Sequence, residues 1–256
     1  MPDRASRNLS SLFRNTRIIA RREFVGYFNT PLAFVFVVIF VALTGYLAFY
    51  RGNFFARGQA DLVPFFMYHP WLYLLLVPAI AMRLWAEERK TGTIELLMTL
   101  PIEPWEAILG KFLAAWAFLG VALALTFPMW ITVNILGRPD NGVILTSYLG
   151  SFLMAGAFLA IGSCISALTK SQVIAFIVAA TLSYLFVMSG QEDVLNFFKV
   201  WAPQGMVNAI SNLSFLTHFD QISRGVIALP DVIYYLSMIG FWLFANTLII
   251  DRKKAS

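Results

Sequence analysis

The sequence has 256 residues, of which 59% are hydrophobic and only 13% are charged. A mean hydropathy of +0.72 argues against a soluble domain with many buried helices and indicates a protein with several membrane spans. The net charge of +5 does not indicate nucleic-acid binding, because the basic residues flank apolar runs. The single cysteine, Cys164, excludes an internal disulfide and is expected to pack in an apolar helix.

Residues 1–30 predict an amphipathic helix that lies on the membrane surface. Arg14, Arg17 and Arg21 fall on one side of a helix, at spacings of three and four residues. The other side is mostly apolar and carries Leu9, Leu12, Phe13, Thr16, Ile19, Ala20, Phe24 and Tyr27. Such a helix binds anionic membrane lipid. Its apolar side disfavours a nucleic-acid-binding arm, and its basic lead is too long for a signal peptide.

Six apolar runs approach or exceed the length of about 20 residues that a membrane-spanning helix needs. Pro70 and Pro78 predict a kinked entry to the second run, and small residues in the fourth permit close helix packing. The chain is therefore predicted to be a single all-α transmembrane domain over residues 1–256. The predicted spans cover residues 31–50, 66–85, 108–136, 147–168, 173–188 and 232–250.

Basic residues predict the orientation. Most of them lie in the amino terminus, in the segment 83–111 and in the carboxyl-terminal tail, so the positive-inside rule places these parts and both termini in the cytoplasm. Residues 189–229 are then external. Their mixture of aromatic and polar residues favours short re-entrant or interfacial helices, whose candidate functional residues are Trp201, Phe215, His218 and Arg224.

The polar segment 83–111 lies between the second and third predicted spans. Its charges are too dense for hydrocarbon, which predicts a water-facing loop with its core at residues 86–107. Gly92 is expected to stop one helix, Thr93 to cap a short second helix, and Pro101 to end it. Pro104 suits the first turn of a further helix. The short helix is amphipathic and is predicted to insert into another protein.

Sequence motifs for catalysis are missing. There is no phosphate-binding G-x-x-x-x-G-K-[ST] loop, and Gly92 stands where an E-E-x-x-x-R protease motif needs arginine. His69 and His218 have no partner at metal-ligand spacing and are predicted to be hydrogen-bonding residues at the membrane interface. Few charges lie within the predicted spans, which argues against an ion-coupled transporter. We therefore expect no catalytic residue and no metal site.

Residues 87–111, EERKTGTIELLMTLPIEPWEAILGK, resemble the signature loop of ABC-2 type transporter permeases, and the resemblance extends over the whole chain. Residues 213–227, LSFLTHFDQISRGVI, are similar to the gliding-motility subgroup, the GldF-like permeases. The resemblance implies a multi-pass subunit of the bacterial inner membrane that pairs with a second permease copy or a related permease. It also implies that a separate ATP-binding subunit binds ATP and Mg, so this chain carries no cofactor.

By position, the resemblance assigns the contact with the ATP-binding subunit to a coupling helix. That helix consists of Thr93, Ile94, Glu95, Leu96, Leu97, Met98 and Thr99. Within it, Glu95 is expected to form a salt bridge or a cap against the ATPase. Five further residues are expected to stiffen the loop: Glu87, Glu88, Arg89, Gly92 and Pro101.

Three functions follow as hypotheses. The first is an exporter permease that moves a substrate outward or extracts it from the membrane. The second is mechanotransmission, in which the subunit passes force to an external accessory protein and translocates nothing. The third and weakest is an intramembrane enzyme acting on lipid or peptide.

Overall fold

A computed structural model describes residues 9–94 and 102–254, and the described residues are helical with no β-strand. In chain order the helices are α1 (Leu9–Phe28), α2 (Pro31–Tyr46), α3 (Val63–Phe66), α4 (His69–Ala81), α5 (Arg83–Thr91), α6 (Pro104–Ala124), α7 (Phe127–Leu136), α8 (Asn141–Leu168), α9 (Gln172–Met188), α10 (Glu192–Lys199), α11 (Gln204–Asn212), α12 (Phe215–Ser223) and α13 (Leu229–Lys254). A π-helical turn, Leu47–Arg51, extends α2.

Five stretches in the described part of the chain are long and apolar enough to cross a membrane. They are Ala33–Arg51, Val63–Thr91, Pro104–Leu136, Asn141–Leu168 and Leu229–Arg252. The fifth predicted span corresponds to α9, which has 17 residues and is followed by α10 after a bend of 73°. The first, second, third, fourth and sixth predicted spans are thus present as candidates, while the fifth span and the side of the termini stay predictions.

The polar segment 83–111 differs from the predicted water-facing loop at both of its ends. The second span continues as helix to Thr91, and α6 begins at Pro104 instead of near residue 108. Glu106 and Lys111 are buried. The prediction was wrong there because partners inside the protein replace water: Lys111 pairs with Glu23 and Glu88, and Glu106 accepts hydrogen bonds from the Asn15 side chain and the Glu103 amide.

Helix α8 forms the centre of the bundle and packs against α4, α5, α6, α9, α12 and α13. Its small residues confirm the prediction of close packing. Gly150 lies against Ile222, and Gly156 lies against the Trp116 ring. A side chain at either glycine would overlap the neighbouring helix, so these positions set how closely the helices approach.

The second span is broken twice, after Phe66 and at Met82. The first break lies next to Pro70, as predicted. At the second, the Ser166 hydroxyl of α8 accepts hydrogen bonds from the Trp85 and Ala86 amides, at 3.1 and 3.0 Å, and donates to the Met82 carbonyl at 2.9 Å. Because this hydroxyl replaces the local i→i−4 partners, the break has a tertiary cause that sequence reasoning did not find.

Candidate functional site: the charged end of the bundle

The segment between α5 and α6 is bounded by two well-defined helix ends. Gly92 ends α5 in the left-handed region, at a φ of 75°, which glycine adopts without steric cost. At the other side, Glu103 and Glu106 form a reciprocal capping box, and Pro104 occupies the first turn of α6. We call the end of the bundle that carries this segment the loop end.

Lys111 of α6 joins three helices at the loop end. Its Nζ lies 2.8 Å from Oε1 of Glu88 on α5 and 3.4 Å from Oε1 of Glu23 on α1. The lysine side chain is only 5% exposed, and its Nζ also lies 5.4 Å from the centre of the Trp85 ring. A buried ammonium needs such partners, since an unpaired charge in this place would be costly.

Glu23 is ionised at neutral pH. Burial alone would raise the pKa of its carboxyl, but the charge of Lys111 and the hydrogen bond and charge of Arg22 outweigh that effect. The pKa of Glu23 therefore lies below its ordinary value. The charges of Lys111 and Arg22 thus favour the ionised form of the carboxyl that links α1 to α6.

Three further contacts hold α1 against α6. The Asn15 side-chain amide donates to Oε1 of Glu106 at 3.3 Å. Gly110 lies against Ile19, so closely that an added Cβ would be 2.8 Å from its Cγ2. The Tyr27 ring stacks on Phe118, with ring centres 5.0 Å apart. The amino-terminal helix is therefore fixed to the start of the third span along its length.

The three charged residues expected to stiffen the end of the second span each have a specific contact. Glu87 pairs with Arg83 at 2.9 Å, and Glu88 pairs with Lys111. Arg89 donates from Nη1 to the Ala167 carbonyl at 2.7 Å, which joins α5 to the end of α8. These contacts are compatible with the expected stiffening role, which stays a prediction.

The predicted coupling helix is only partly within the described residues. Thr93 and Ile94 are helical and follow directly after Gly92. The Thr93 hydroxyl lies 3.0 Å from that of Thr91, and Ile94 packs against the core. The remaining predicted residues of this segment lie outside the described part of the chain: Glu95, Leu96, Leu97, Met98, Thr99 and Pro101.

The predicted amphipathic helix at the amino terminus is present as α1. Arg14, Arg17 and Arg21 are exposed, while Thr16 and Ile19 are buried against α6. Phe13 was assigned to the apolar side but is 72% exposed. The apolar side of α1 therefore extends beyond the strip that α6 covers, and its contact with membrane lipid stays a prediction.

The four candidate residues of segment 189–229 lie on the short helices at the opposite end or beside them. Trp201 is exposed after α10, and Phe215 is buried against Phe158 and Phe186. Arg224 pairs with Asp220, 2.6 Å away, on the surface. The structure therefore does not bring these residues together into one site.

His218 has a carboxylate partner that sequence spacing did not reveal. Its Nδ1 lies 2.6 Å from Oδ1 of Asp231 at the start of α13, and its Nε2 lies 3.0 Å from the Asn212 carbonyl oxygen. Its ring also stacks on Tyr234, with centres 3.9 Å apart. Residues 13 apart on different helices give no periodic signal, so sequence reasoning missed this pair.

His69 was predicted to be a hydrogen-bonding residue at the membrane interface; its hydrogen bond is present, and its depth in the membrane stays a prediction. It is fully buried in the bundle. Its Nδ1 lies 2.7 Å from the Ser151 hydroxyl, which is also 2.7 Å from the Tyr73 hydroxyl. The polar groups of α8 supplied a partner for this histidine within the core, and only the fold could show this.

Lys111 is the functional candidate that sequence reasoning undervalued. A signal did exist, because a lysine placed two turns inside an apolar helix needs carboxylate partners from elsewhere. Among residues 9–94 and 102–254, no group of three or more His, Cys, Asp or Glu side chains could hold a metal ion. What this end of the bundle offers is mechanical connection between helices.

Comparison with known proteins gives one informative result. No curated protein matches the chain. A family model described as ABC-2 family transporter protein matches residues 17–243, which include α2 to α12, most of α1 and over half of α13. This match does not test the gliding-motility subgroup, which stays a prediction. The chain therefore belongs to the ABC-2 transporter family, whose members are transmembrane permease subunits.

Proposed function

We propose that this chain is the permease subunit of an ATP-driven ABC-2 exporter. A separate ATP-binding subunit binds ATP and Mg and contacts the segment between α5 and α6, with Glu95 forming a salt bridge or cap there. ATP hydrolysis by that subunit drives export of a substrate or its extraction from the membrane. The observation that carries this proposal is the position of Lys111, which ties α1, α5 and α6 together at the base of that segment.

A partner that binds the segment can move the spans only if the connection is stiff. Binding energy shifts an equilibrium between two states when the contacts differ between those states. Here α5 continues the second span and α6 begins the third, so the segment is attached directly to both. The ion pair between Lys111 and Glu23 connects α1 to these two spans, and the hydrogen bond of Arg89 to the Ala167 carbonyl connects α8 to them. A displacement of the segment would thus move four helices together.

The same proposal places the loop end and both termini in the cytoplasm of a bacterium, with the chain in the inner membrane. Exposed Arg14, Arg17 and Arg21 then face anionic lipid of the cytoplasmic leaflet. A second permease copy, or a related permease, completes the transmembrane unit. An external accessory protein would bind at α10–α12.

Mechanotransmission is the second candidate function, and one observation favours it. Phe197, Val200 and Trp201 form an exposed apolar surface on α10 and just after it. Apolar surface of this kind often marks a binding site for a partner. In this function the ATPase contact is unchanged, and the force is passed to an external protein instead of a substrate.

The first experiment is affinity purification of the tagged full-length protein from native membranes, followed by mass spectrometry. Parent, Glu95→Arg and Leu97→Asp are compared, with Arg57→Glu as a charge-reversal control at the opposite end. We expect an ATP-binding subunit to co-purify with the parent and the control and to be lost from the two segment variants. If no ATPase appears, or if both variants retain it, the proposed coupling is refuted.

A further inference from the structure

A lateral groove of about 500 Å³ opens between α1, α2, the α4–α5 pair and α6. It exists because α2 leaves much of its surface uncovered: Val35 is 52% exposed and Ile39 is 41% exposed. Both residues line the groove, as do the buried Phe36 and Phe118. The groove therefore has apolar walls on the side of the bundle, within the depth of two candidate spans.

The lining of the groove is sorted by polarity. Its charged residues all lie at the loop end and are Arg22, Glu23, Arg83, Glu87 and Lys111. Except for Met82 and Leu84, which flank Arg83, most of its apolar residues lie deeper, with Leu76 and Ile80 on α4 opposite Val35 and Ile39 on α2. Leu76 precedes Arg83 by seven residues, a distance of roughly 10 Å along a helix. The charged end and the apolar part of the groove are thus about two helical turns apart.

The charged end suits a phosphate. It holds three cationic side chains against two carboxylates, and both carboxylates already have cationic partners. Arg22 donates from Nη2 to Glu23, and Arg83 donates from Nε and Nη2 to Glu87. A guanidinium has five N–H donors, so each arginine retains donors for an additional anion.

We propose that this groove binds a glycerophospholipid from the adjacent leaflet. Its phosphate is held by Arg22 and Arg83, and one acyl chain lies along Phe36, Leu76 and Phe118. A groove with apolar walls in a bilayer is not filled by water, and an acyl chain is the apolar material available there. The sorted lining selects a molecule with one charged end and one long apolar end.

This site is distinct from the segment proposed to bind the ATPase, and the proposal does not depend on that coupling. The two are nevertheless adjacent, because Glu23 and Lys111 belong to both the groove and the ion pairs that join α1 to α6. A bound lipid would fill the space between α1 and α5. Lipid occupancy would therefore influence how firmly α1 is held.

The test is photo-crosslinking of the full-length protein in bilayer nanodiscs with phosphatidylglycerol that carries a diazirine in its acyl chain. Labelled peptides are then identified by mass spectrometry. We expect labelling of α2 around residues 35–39 and of α4 around residues 76–80. Ala79→Trp fills the groove and should abolish this labelling, and Arg83→Gln should reduce it about tenfold by removing a charge-assisted contact.

Two variants serve as matched controls and should label like the parent. Arg57→Gln breaks an i,i+4 ion pair of similar side-chain exposure at the opposite end, and Val178→Trp adds the same bulky ring to the exposed face of α9. Uniform labelling that Ala79→Trp leaves unchanged would overturn the groove assignment. Equal labelling by an uncharged diacylglycerol probe, or loss of labelling on adding inorganic phosphate, would overturn the phospholipid assignment.

Discussion

The two ends of the bundle use charge in different ways. At the loop end, buried Lys111 joins helices that are distant in sequence, and its partners Glu23 and Glu88 are mostly covered. At the opposite end, Arg224 and Asp220 are 75% and 60% exposed and lie one turn apart at the end of α12. The first arrangement fixes the relative position of three helices, whereas the second stabilises at most a single helix.

His218 and Asp231 form an intermediate case at the opposite end. Their contact is short and Asp231 is buried, but it joins only α12 to α13, which are neighbours along the chain. The comparison therefore predicts a ranking. Removing a charged side chain should lower the free energy of unfolding most where that side chain is buried and joins several helices. The loss should be smallest where the side chain is exposed and contacts only its own helix.

The largest effect is expected for Lys111→Met. It leaves the Glu23 and Glu88 carboxylates without their shared cation in a mostly buried place, so the free energy of unfolding should fall by about 3 kcal/mol. Unfolding of the purified protein in mixed micelles with increasing denaturing detergent measures this change. Lys199→Met, at the surface of the opposite end, is the matched control and should be near neutral.

Adding Glu23→Gln and Glu88→Gln to Lys111→Met tests whether unpaired carboxylates cause the predicted loss in the free energy of unfolding. Neutral amides no longer need the cation, so most of the lost free energy of unfolding should return. If Lys111→Met unfolds like the parent, the ion pairs do not hold the helices together and the proposed stiff connection fails.

A smaller loss, of about 2 kcal/mol, is expected for His218→Phe, since a buried carboxylate loses its hydrogen-bond partner. Phenylalanine can keep the ring contact with Tyr234, so the change reports mainly on the hydrogen bonds. The same detergent titration measures it. Adding Asp231→Asn should recover part of the loss, and an effect as large as that of Lys111→Met would contradict the ranking.

Gly110→Ala tests the close contact between α1 and α6 without altering any charge. The new Cβ would lie 2.8 Å from the Ile19 side chain, so α1 must shift, at a cost of about 1 kcal/mol. Gly26→Ala on α1 is the control, because nothing lies within 4 Å of its new Cβ. Reactivity of a cysteine placed at the buried position Thr16, in a Cys164→Ser background, should rise only with Gly110→Ala.

The smallest effect is expected for Arg224→Ala, which should change the free energy of unfolding by no more than about 0.5 kcal/mol. Its ion pair is exposed and connects two residues of one short helical region. A loss comparable to that of His218→Phe would show that this surface charge has a tertiary role absent from the described contacts.

Apolar runs and helix-ending residues were readable from the sequence because their causes are local. The length of each run, Gly92 at the end of α5 and Pro104 at the start of α6 depend on residues within a few positions. The break at Met82 could not be read from the sequence in this way, because its cause is not local. Its cause is the hydroxyl of Ser166, which lies on another helix and carries no local signature.

In the candidate site, too, some features have local causes that the sequence shows, and others depend on residues of distant helices. The charges of segment 83–111 indicated a functional region, but sequence reasoning placed all of them in water. Lys111 and Glu106 are instead buried, since α1 and α5 supply Asn15, Glu23 and Glu88 as partners. Contacts between residues so far apart along the chain leave no repeating pattern in the sequence, so they could not be predicted from one sequence.

The sequence by itself determined that this is an all-helical membrane protein, because span length and hydropathy are properties of each run alone. It also determined the resemblance that the family match then confirmed for residues 17–243. Tertiary structure alone decided which charges meet, where α1 packs and that a groove opens beside α2. These features depend on distances between helices, which are fixed only when all the helices pack together.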